Sequence, residues 1–264
     1  MLKQRILTAI VTLIVVAAML FLLPTWATRL IIAALMVVAA WEWSGLLPGQ
    51  LQQAQRTMYV GLIVVLVAGV FYLVPDGLSS QKFFALASAW WMVAFVWLLL
   101  HPTPIPPAVG WICGALIIVP AWFSLDWIFL RDGVSLLLLL LIVVGADTGA
   151  YFSGKLFGRV KLAPRISPGK TWEGVIGGMV VVAALAVIYA IQTGGKLSVY
   201  LPLCLAVAVI SIVGDLTVSV FKRRAGVKDS GWFFPGHGGV LDRIDSIAAA
   251  TPVFALALAA GAIV

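Results

Sequence analysis

Long apolar runs dominate this sequence and limit what it can fold into. Nine of them approach the roughly 20 residues that a helix needs to cross about 30 Å of hydrocarbon: 6–23, 27–46, 58–75, 82–100, 108–125, 134–152, 174–192, 199–219 and 245–264. Only 10% of the residues are charged, against about 25% in a soluble domain. The sequence therefore predicts an all-α, polytopic integral membrane bundle of about nine transmembrane helices. Eight remain an alternative, because the connection Pro24–Arg29 is short and Glu42 lies inside the second run.

The positions of Lys and Arg predict the orientation, because cytoplasmic loops carry more of them. With nine spans and the N-terminus inside, 13 of the 17 basic residues are cytoplasmic. The N-terminus is therefore predicted to be cytoplasmic. The first run follows Lys3 and Arg5 as in a signal peptide, but its length and the lack of a cleavage site favour a membrane span. Three acidic residues fall on the outer side and are interpreted as solvated loop residues: Asp76, Asp126 and Asp132.

Charge is concentrated in two predicted cytoplasmic loops, residues 153–173 and 222–245. Together they carry 14 of the 27 charged residues in 45 positions, and they can face each other. We therefore divide the chain into two regions. Residues 1–132 are predicted to be transmembrane helices that offer a lipid or oligomer surface, and residues 133–264 a transmembrane catalytic region with a polar pocket at the cytoplasmic face.

Two aspartates lie within apolar runs, where a carboxylate costs several kcal/mol unless it has a partner or faces water. Asp147 and Asp215 each come four to six residues before the end of a predicted span, so they lie at similar depth below the cytoplasmic surface. Asp242 and Asp245 are three residues apart and share a face if that segment is helical. The four carboxylates are therefore candidates for one site.

Several carboxylates at one depth repel each other unless a cation lies between them. Their oxygens suit Mg²⁺, which completes its shell with substrate phosphates and water. The alternative is a set of structural salt bridges with Lys170, Lys222 and Arg243. Metal together with basic groups is typical of phosphoryl or nucleotidyl transfer, where catalysis consists mainly of positioning and charge neutralisation.

The sequence Gly-Lys-Thr at residues 169–171 looks like the end of a P-loop. Pro164 stands where that motif needs glycine, and no strand is predicted before it. Pro168 and the next glycine instead predict a turn that brings Lys170 to the start of the seventh run, where a helix N-terminus can bind phosphate. The alternative is a helix cap followed by a first-turn acid, Glu173.

A second backbone-permissive segment is Gly-His-Gly-Gly at residues 236–239. Glycines let the main chain approach a ligand closely and adopt positive φ. His237 is a candidate for contact with a phosphate or for acid/base work. A hydrogen-bonded structural histidine is the alternative.

The stretch from Ser219 to Asp245 resembles the signature of the phosphatidate cytidylyltransferases, also called CDP-diacylglycerol synthases. That pattern runs S-x-x-K-R, K-D, P-G-H-G-G and D-R-x-D, and each element is present in register at Ser219, Lys222-Arg223, Lys228-Asp229, 235–239 and Asp242-Arg243-x-Asp245. The segments Asp147–Tyr151 and Ser167–Gly174 are also similar to the family. The resemblance is specific over residues 145–247.

Members of this family condense CTP with phosphatidic acid, giving CDP-diacylglycerol and pyrophosphate. The resemblance implies that the lipid phosphate attacks the α-phosphorus of CTP in line, with Mg²⁺ as cofactor and room for a second, monovalent cation. The implied metal ligands are Asp215, Asp242, Asp245 and Asp147. The implied catalytic residues are Asp215, Asp242, Asp245, Lys170, Lys222 and Arg243. The implied substrate-binding residues are Asp147, Ser167, Thr171, Glu173, Ser219, Arg223, Lys228, Asp229, His237, Gly238 and Gly239.

The expected partners are CTP, phosphatidic acid and membrane lipid, with a homodimer as a candidate assembly and no nucleic acid. The expected location is a bacterial inner membrane, with the site facing the cytoplasm. Two other functions stay open: a CTP-dependent polyprenol kinase and an ion-coupled transporter, which also needs buried acids. The CDP-alcohol phosphotransferases are disfavoured because their D-G-x-x-A-R run is missing after Asp132-Gly133.

Overall fold

The computed structural model describes residues 15–49, 51–74, 77–233 and 238–261. Helix α1 covers residues 15–22. The other helices are α2 Thr25–Gly45, α3 Gln53–Leu73, α4 Leu78–Leu100, α5 Pro107–Arg131, α6 Gly133–Phe157, α7 Trp172–Thr193, α8 Leu197–Arg224 and α9 Leu241–Ala259. Strands β1 Lys161–Ala163 and β2 Ser167–Thr171 form an antiparallel hairpin between α6 and α7. In the described part, α2 to α8 are long and apolar enough to cross a membrane, which confirms the polytopic helical bundle.

Some predictions lie outside the described residues. They concern the first part of the first run with Lys3 and Arg5, the acidic residue Asp76, the candidate His237, and the last three residues of the ninth run.

Pro24 separates the first two helices. Its backbone is extended (φ −64°, ψ 144°), and its carbonyl oxygen accepts a hydrogen bond from the Ala27 N–H at 2.8 Å. Proline has no N–H to continue the helical ladder of α1. The short connection therefore does divide the two runs into separate helices.

The charged segments are less loop-like than predicted. Helix α6 continues to Phe157 and α8 to Arg224, so Lys155 and the Lys-Arg-Arg sequence at 222–224 lie on helices. The predicted loops 153–173 and 222–245 are wrong in this respect. The hydrogen bonds of an α-helix are internal to the segment, so the helix does not have to end where the apolar run ends.

Helix α9 begins at Leu241, four residues before the ninth predicted run. It carries Asp242, Arg243 and Asp245 in its first two turns, which sets it apart from the seven more apolar helices. It packs against α4, α5 and α8, so its charged start is held within the bundle. The two aspartates are on a helix, as their shared face requires.

Helices α6 and α7 approach each other closely through glycines. A Cβ added at Gly149 would lie 2.9 Å from the Gly177 carbonyl oxygen, and one at Gly178 would lie 2.6 Å from the Ala146 oxygen. Neither helix backbone can yield to such a contact. The two helices and the hairpin between them therefore form one closely packed unit.

The hairpin corrects the reading of the Gly-Lys-Thr segment. Its turn comprises residues 164–166, and Pro168 and Gly169 lie in β2 rather than in a turn. A strand does hold this segment, although the sequence predicted none. The P-loop pattern still fails, because Pro164 occupies the position of its first glycine.

Asp126 is not a solvated loop residue, and that prediction is wrong. It lies in α5 with 2% of its surface exposed. Its two oxygens accept hydrogen bonds from Nε and Nη2 of Arg29 in α2, at 2.7 and 2.9 Å. Asp132, in contrast, is exposed and caps α6 by accepting from the Val134 and Ser135 N–H groups. Partial desolvation of its carboxylate raises the pKa of Asp132, but hydrogen bonds from Ser135 and Val134 outweigh this and hold the pKa below its usual value.

We expect Arg29→Met to lower the free energy of unfolding by about 3 kcal/mol, because Asp126 would become a buried charge without its cation. Thermal unfolding in detergent measures this. Lys82→Met is the matched control, since Lys82 has an exposed side chain at the start of α4. Equal unfolding midpoints for the two variants would show that the Arg29–Asp126 ion pair does not contribute to stability.

Candidate active site

Charged side chains from α6, the C-terminal part of α8 and the start of α9 surround one pocket. Its volume is about 290 Å³. It is lined by five aspartates, four basic residues and two serines, namely Asp147, Asp215, Asp229, Asp242, Asp245, Lys222, Arg223, Lys228, Arg243, Ser219 and Ser246. All of them except Ser246 are candidate residues from the sequence. None of them belongs to the charged segment 153–173; that segment reaches the pocket region through its contacts with α8.

Lys222 lies between two aspartates of α9. Its Nζ is 2.9 Å from Asp242 Oδ1 and 3.6 Å from Asp245 Oδ2, and the three side chains are 7–9% exposed. Lys222 belongs to the last turn of α8, and the aspartates to the first two turns of α9. One buried ammonium group therefore joins the two helices and offsets the repulsion between the two carboxylates.

Asp215 has a different cation. Its Oδ2 is 2.6 Å from Nζ of Lys170 in β2, and its Oδ1 accepts a hydrogen bond from Ser219 Oγ, one turn further along α8, at 3.1 Å. Arg223 also reaches the hairpin, by donating from Nε to the Ile166 carbonyl oxygen at 3.2 Å. The hairpin is thus tied to α8 next to the pocket.

Asp242 also organises the segment that precedes α9. Its Oδ2 accepts hydrogen bonds from the N–H groups of Ser230 and Gly239, at 2.8 and 2.9 Å. Gly238 has a φ of 83°, which other residues rarely adopt. Gly238 and Gly239, which were predicted to approach a ligand, thus bring the backbone into contact with Asp242 of the pocket.

Five of the lining residues are accessible. Asp147, Arg223, Lys228, Asp229 and Arg243 all have exposed side chains. Asp147 lies inside a membrane helix, and its exposure to the pocket explains how a carboxylate is tolerated there. An anion that enters the pocket meets the three exposed basic residues first.

Three other candidates do not line the pocket. Thr171 is buried and accepts a hydrogen bond from the Gly174 N–H at 3.1 Å, which caps α7. Glu173 accepts from the Val160 N–H at 3.1 Å and so connects the first turn of α7 to the residue before β1. Ser167 opens β2 and pairs with Ala163. The structure thus contains the predicted helix cap, Thr171, followed by the first-turn acid Glu173. A role of Ser167, Thr171 and Glu173 in substrate binding stays a prediction.

The sequence reasoning gave no role to Glu42 in α2, although it carried the same signal as Asp147, a carboxylate in an apolar run. Glu42 is 6% exposed and accepts hydrogen bonds from Ser230 Oγ and from the N–H groups of Val240 and Leu241. It therefore contacts the segment that shapes the pocket. Ser230 and Ser246 are polar loop and helix residues without a distinguishing pattern.

The donor chemistry of the pocket fits a divalent cation, because Mg²⁺ prefers carboxylate oxygens. Four of its aspartates, those at 147, 215, 242 and 245, are the predicted ligands. Within the described residues, no three acidic, histidine or cysteine side chains are gathered as a ready ligand group. Lys170 and Lys222 instead pair with three of these four carboxylates.

A polytopic membrane protein with acidic and basic groups in one pocket at its helix ends has the features of an enzyme that acts on phosphate-bearing molecules beside the bilayer. The model of the cytidylyltransferase family matches residues 3–260, and the chain belongs to that family.

Two relatives are similar over nearly their whole length, and both are named phosphatidate cytidylyltransferase. The protein from Pseudomonas aeruginosa is 44% identical over 269 residues, which cover 98% of this chain and 97% of the relative. The protein from Haemophilus influenzae is 37% identical over 289 residues, which cover 96% of this chain and 97% of the relative. A protein of the same name from Staphylococcus aureus is 45% identical over 120 residues, less than half of either chain.

Proposed function

We propose that this chain transfers the CMP moiety of CTP to phosphatidic acid, giving CDP-diacylglycerol and pyrophosphate in phospholipid biosynthesis. The observation that carries this proposal is the pocket of five aspartates and four basic residues at the ends of membrane helices. It occurs in a chain that its family matches almost from end to end. A soluble nucleotide and a membrane-bound phosphate can both reach such a position.

The basic residues bind and neutralise the phosphates. Arg223, Lys228 and Arg243 are exposed in the pocket and hold the triphosphate, while Lys170 lies at its edge beside Asp215. As the lipid phosphate oxygen attacks the α-phosphorus, the bond from that phosphorus to the β-phosphate oxygen breaks and pyrophosphate leaves. Preorganised cations stabilise the charge that develops on this leaving group.

Asp147, Asp215, Asp242 and Asp245 would hold Mg²⁺. When bound, the ion neutralises phosphate oxygens as a Lewis acid. Around it, Ser219 orients Asp215 and the N–H groups of Ser230 and Gly239 orient Asp242. Lys170 and Lys222, which pair with three of these carboxylates, would be available to bind phosphate with the metal in place.

The pocket faces the cytoplasm of a bacterial inner membrane. The charge distribution supports this, because the basic residues at the pocket belong to the side that holds 13 of the 17. The substrate supports it as well, since CTP is a cytoplasmic metabolite that does not cross lipid. The two relatives described above, which align over nearly their whole length, come from bacteria.

The test is to incubate the purified protein with phosphatidic acid and α-labelled CTP, with and without Mg²⁺. We expect the label in the lipid product, and only when Mg²⁺ is present. Label in CDP alone would indicate the CTP-dependent lipid kinase. Ion-driven uptake in proteoliposomes without nucleotide turnover would indicate the transporter.

Lys170→Ala should raise the KM for CTP about tenfold or more, because a charge-assisted hydrogen bond contributes about 1.5–3 kcal/mol. Steady-state kinetics over a range of CTP concentrations measure this. Lys161→Ala is the matched control, since Lys161 is an exposed lysine on the other strand of the hairpin. An unchanged KM in Lys170→Ala would remove Lys170 from the phosphate site.

A further inference from the structure

Glu42 is a buried carboxylate of the N-terminal helices that accepts hydrogen bonds from the segment next to the pocket. It lies one turn before the end of α2, and its oxygens accept three hydrogen bonds. The donors are the Val240 N–H at 3.0 Å, the Leu241 N–H at 2.8 Å and Ser230 Oγ at 2.9 Å. The chain on both sides of residues 234–237 is therefore fastened to one side chain of α2.

Two of these bonds cap helix α9. The first N–H groups of a helix have no partner within it and need one elsewhere. The residue before the helix is Val240, whose apolar side chain cannot accept a hydrogen bond. Glu42 supplies this acceptor from another helix, and its negative charge is favourable at a helix N-terminus.

The end of α2 is itself held firmly. Trp43 Nε1 donates to the Gly110 carbonyl oxygen of α5 at 3.0 Å, and the Trp43 ring contacts Phe221, the neighbour of Lys222 in α8. From α3, Arg56 donates to the Trp41 carbonyl oxygen and to Ser44 Oγ, both at 2.9 Å. Glu42 therefore stands between contacts that fix α2 against α3, α5 and α8.

Ser230 connects Glu42 to the charged pocket. Its hydroxyl donates to Glu42, while its backbone N–H donates to Asp242 Oδ2 at 2.8 Å. Leu241, bonded to Glu42, directly precedes Asp242. A Cβ at Gly239 would overlap the Glu42 carboxylate, so the backbone reaches this carboxylate only because the side chain there is absent. The start of α9 and Glu42 are therefore in direct contact.

We propose that Glu42 is a positioning residue through which the N-terminal helices fix the start of α9 and so aim Asp242 and Asp245 into the pocket. The catalytic part of this inference rests on the proposed function. Glu42 does not line the pocket and acts through α9. The alternative is a buried polar group that contributes to stability only.

Glu42→Gln in the full-length protein tests this, because glutamine keeps the length but brings an NH₂ group toward backbone donors. We expect hydrogen exchange of the Val240 and Leu241 amides to accelerate by about tenfold or more, since both lose a charged acceptor. We also expect kcat to fall about 10- to 100-fold, the usual effect of removing a supporting hydrogen bond behind a site. The KM for phosphatidic acid should not change.

Two matched variants sharpen the result. Asp126→Asn also removes a buried membrane carboxylate, but one that pairs with Arg29 far from α9 in the chain; its exchange at residues 240 and 241 and its kcat should equal those of the wild type. Gly239→Ala inserts a Cβ against the Glu42 carboxylate and should reproduce the Glu42→Gln exchange pattern with Glu42 still present.

Unchanged exchange at Val240 and Leu241 in Glu42→Gln would overturn the proposal. So would faster exchange spread over all helices with a wild-type kcat for the folded protein, since that result describes stability alone. If the wild type transfers no label from CTP to lipid, the proposed function fails, and exchange still decides whether Glu42 fixes α9. Labelled lipid at wild-type rates in Glu42→Gln would reject the positioning role alone.

Discussion

Asp215→Asn should lower the turnover of CTP by about a thousandfold, while the protein still inserts and folds. The substitution keeps the shape of the side chain. It also keeps an oxygen that can accept from Ser219 Oγ, which lies 3.1 Å from Asp215 Oδ1 in the wild type. It removes the charge that pairs with Lys170 at 2.6 Å. Asp215 places cations against the phosphates, because it pairs with Lys170 and is a candidate metal ligand. The loss of one preorganised electrostatic group from a catalytic site costs about 10²- to 10³-fold. The rate at which label moves from α-labelled CTP to the lipid measures the effect.

Asp126→Asn is the control for the removal of a membrane carboxylate. Both residues lie in helices that are apolar enough to cross a membrane, but Asp126 contacts only Arg29 among the described ion pairs. We expect wild-type turnover for Asp126→Asn. A well-folded Asp215→Asn variant with wild-type activity would remove Asp215 from the catalytic site and with it one predicted metal ligand.

Most of the fold could be predicted because each membrane-spanning helix is recognised from its own apolar run. A helix that crosses lipid needs about 20 apolar residues whatever its neighbours are, and seven predicted runs correspond to the helices α2 to α8. The ends were less predictable. Helix α8 continues through three basic residues to Arg224, because a helix needs only its own hydrogen bonds to extend beyond the apolar segment.

The carboxylates show where sequence reasoning works and where it ends. A charge in an apolar run must have a partner or face water, and Asp147 and Asp215 do line one pocket. The same signal was present at Glu42, but the identity of its partners depends on which helices pack together. The backbone N–H groups of Val240 and Leu241 have no sequence signature as donors. Asp126 was misread for the same reason, since nothing in its sequence neighbourhood points to Arg29.

The β-hairpin could not be predicted from a pattern. Its strands have three and five residues, too few to show alternation between apolar and polar positions. The packing of α6 on α7 through glycines brings the two chain ends of the connection close together, and the hairpin follows from that contact. Its importance for the site comes from Lys170, which it holds against Asp215.

Lys222→Met should have the largest effect on both stability and turnover. The Lys222 ammonium group is the cation shared by Asp242 and Asp245, and all three side chains are less than a tenth exposed. Removal of one partner from a buried ion pair costs about 3–5 kcal/mol, because the other charge stays buried without compensation. In this variant both Asp242 and Asp245 lose their cation. Thermal unfolding in detergent and the labelled-CTP assay measure the two effects, with Arg224→Met as the control for an exposed basic residue in the same turn.

The double variant Lys222→Met/Asp245→Asn separates structure from chemistry. It removes one of the two uncompensated carboxylates, and Asp242 keeps the N–H groups of Ser230 and Gly239 as donors. We therefore expect most of the lost stability to return, but not the turnover, because a phosphate-binding cation and a candidate metal ligand are both gone. Recovery of turnover together with stability would mean that Lys222 and Asp245 only hold α8 against α9, and that the remaining charges of the pocket suffice for the transfer.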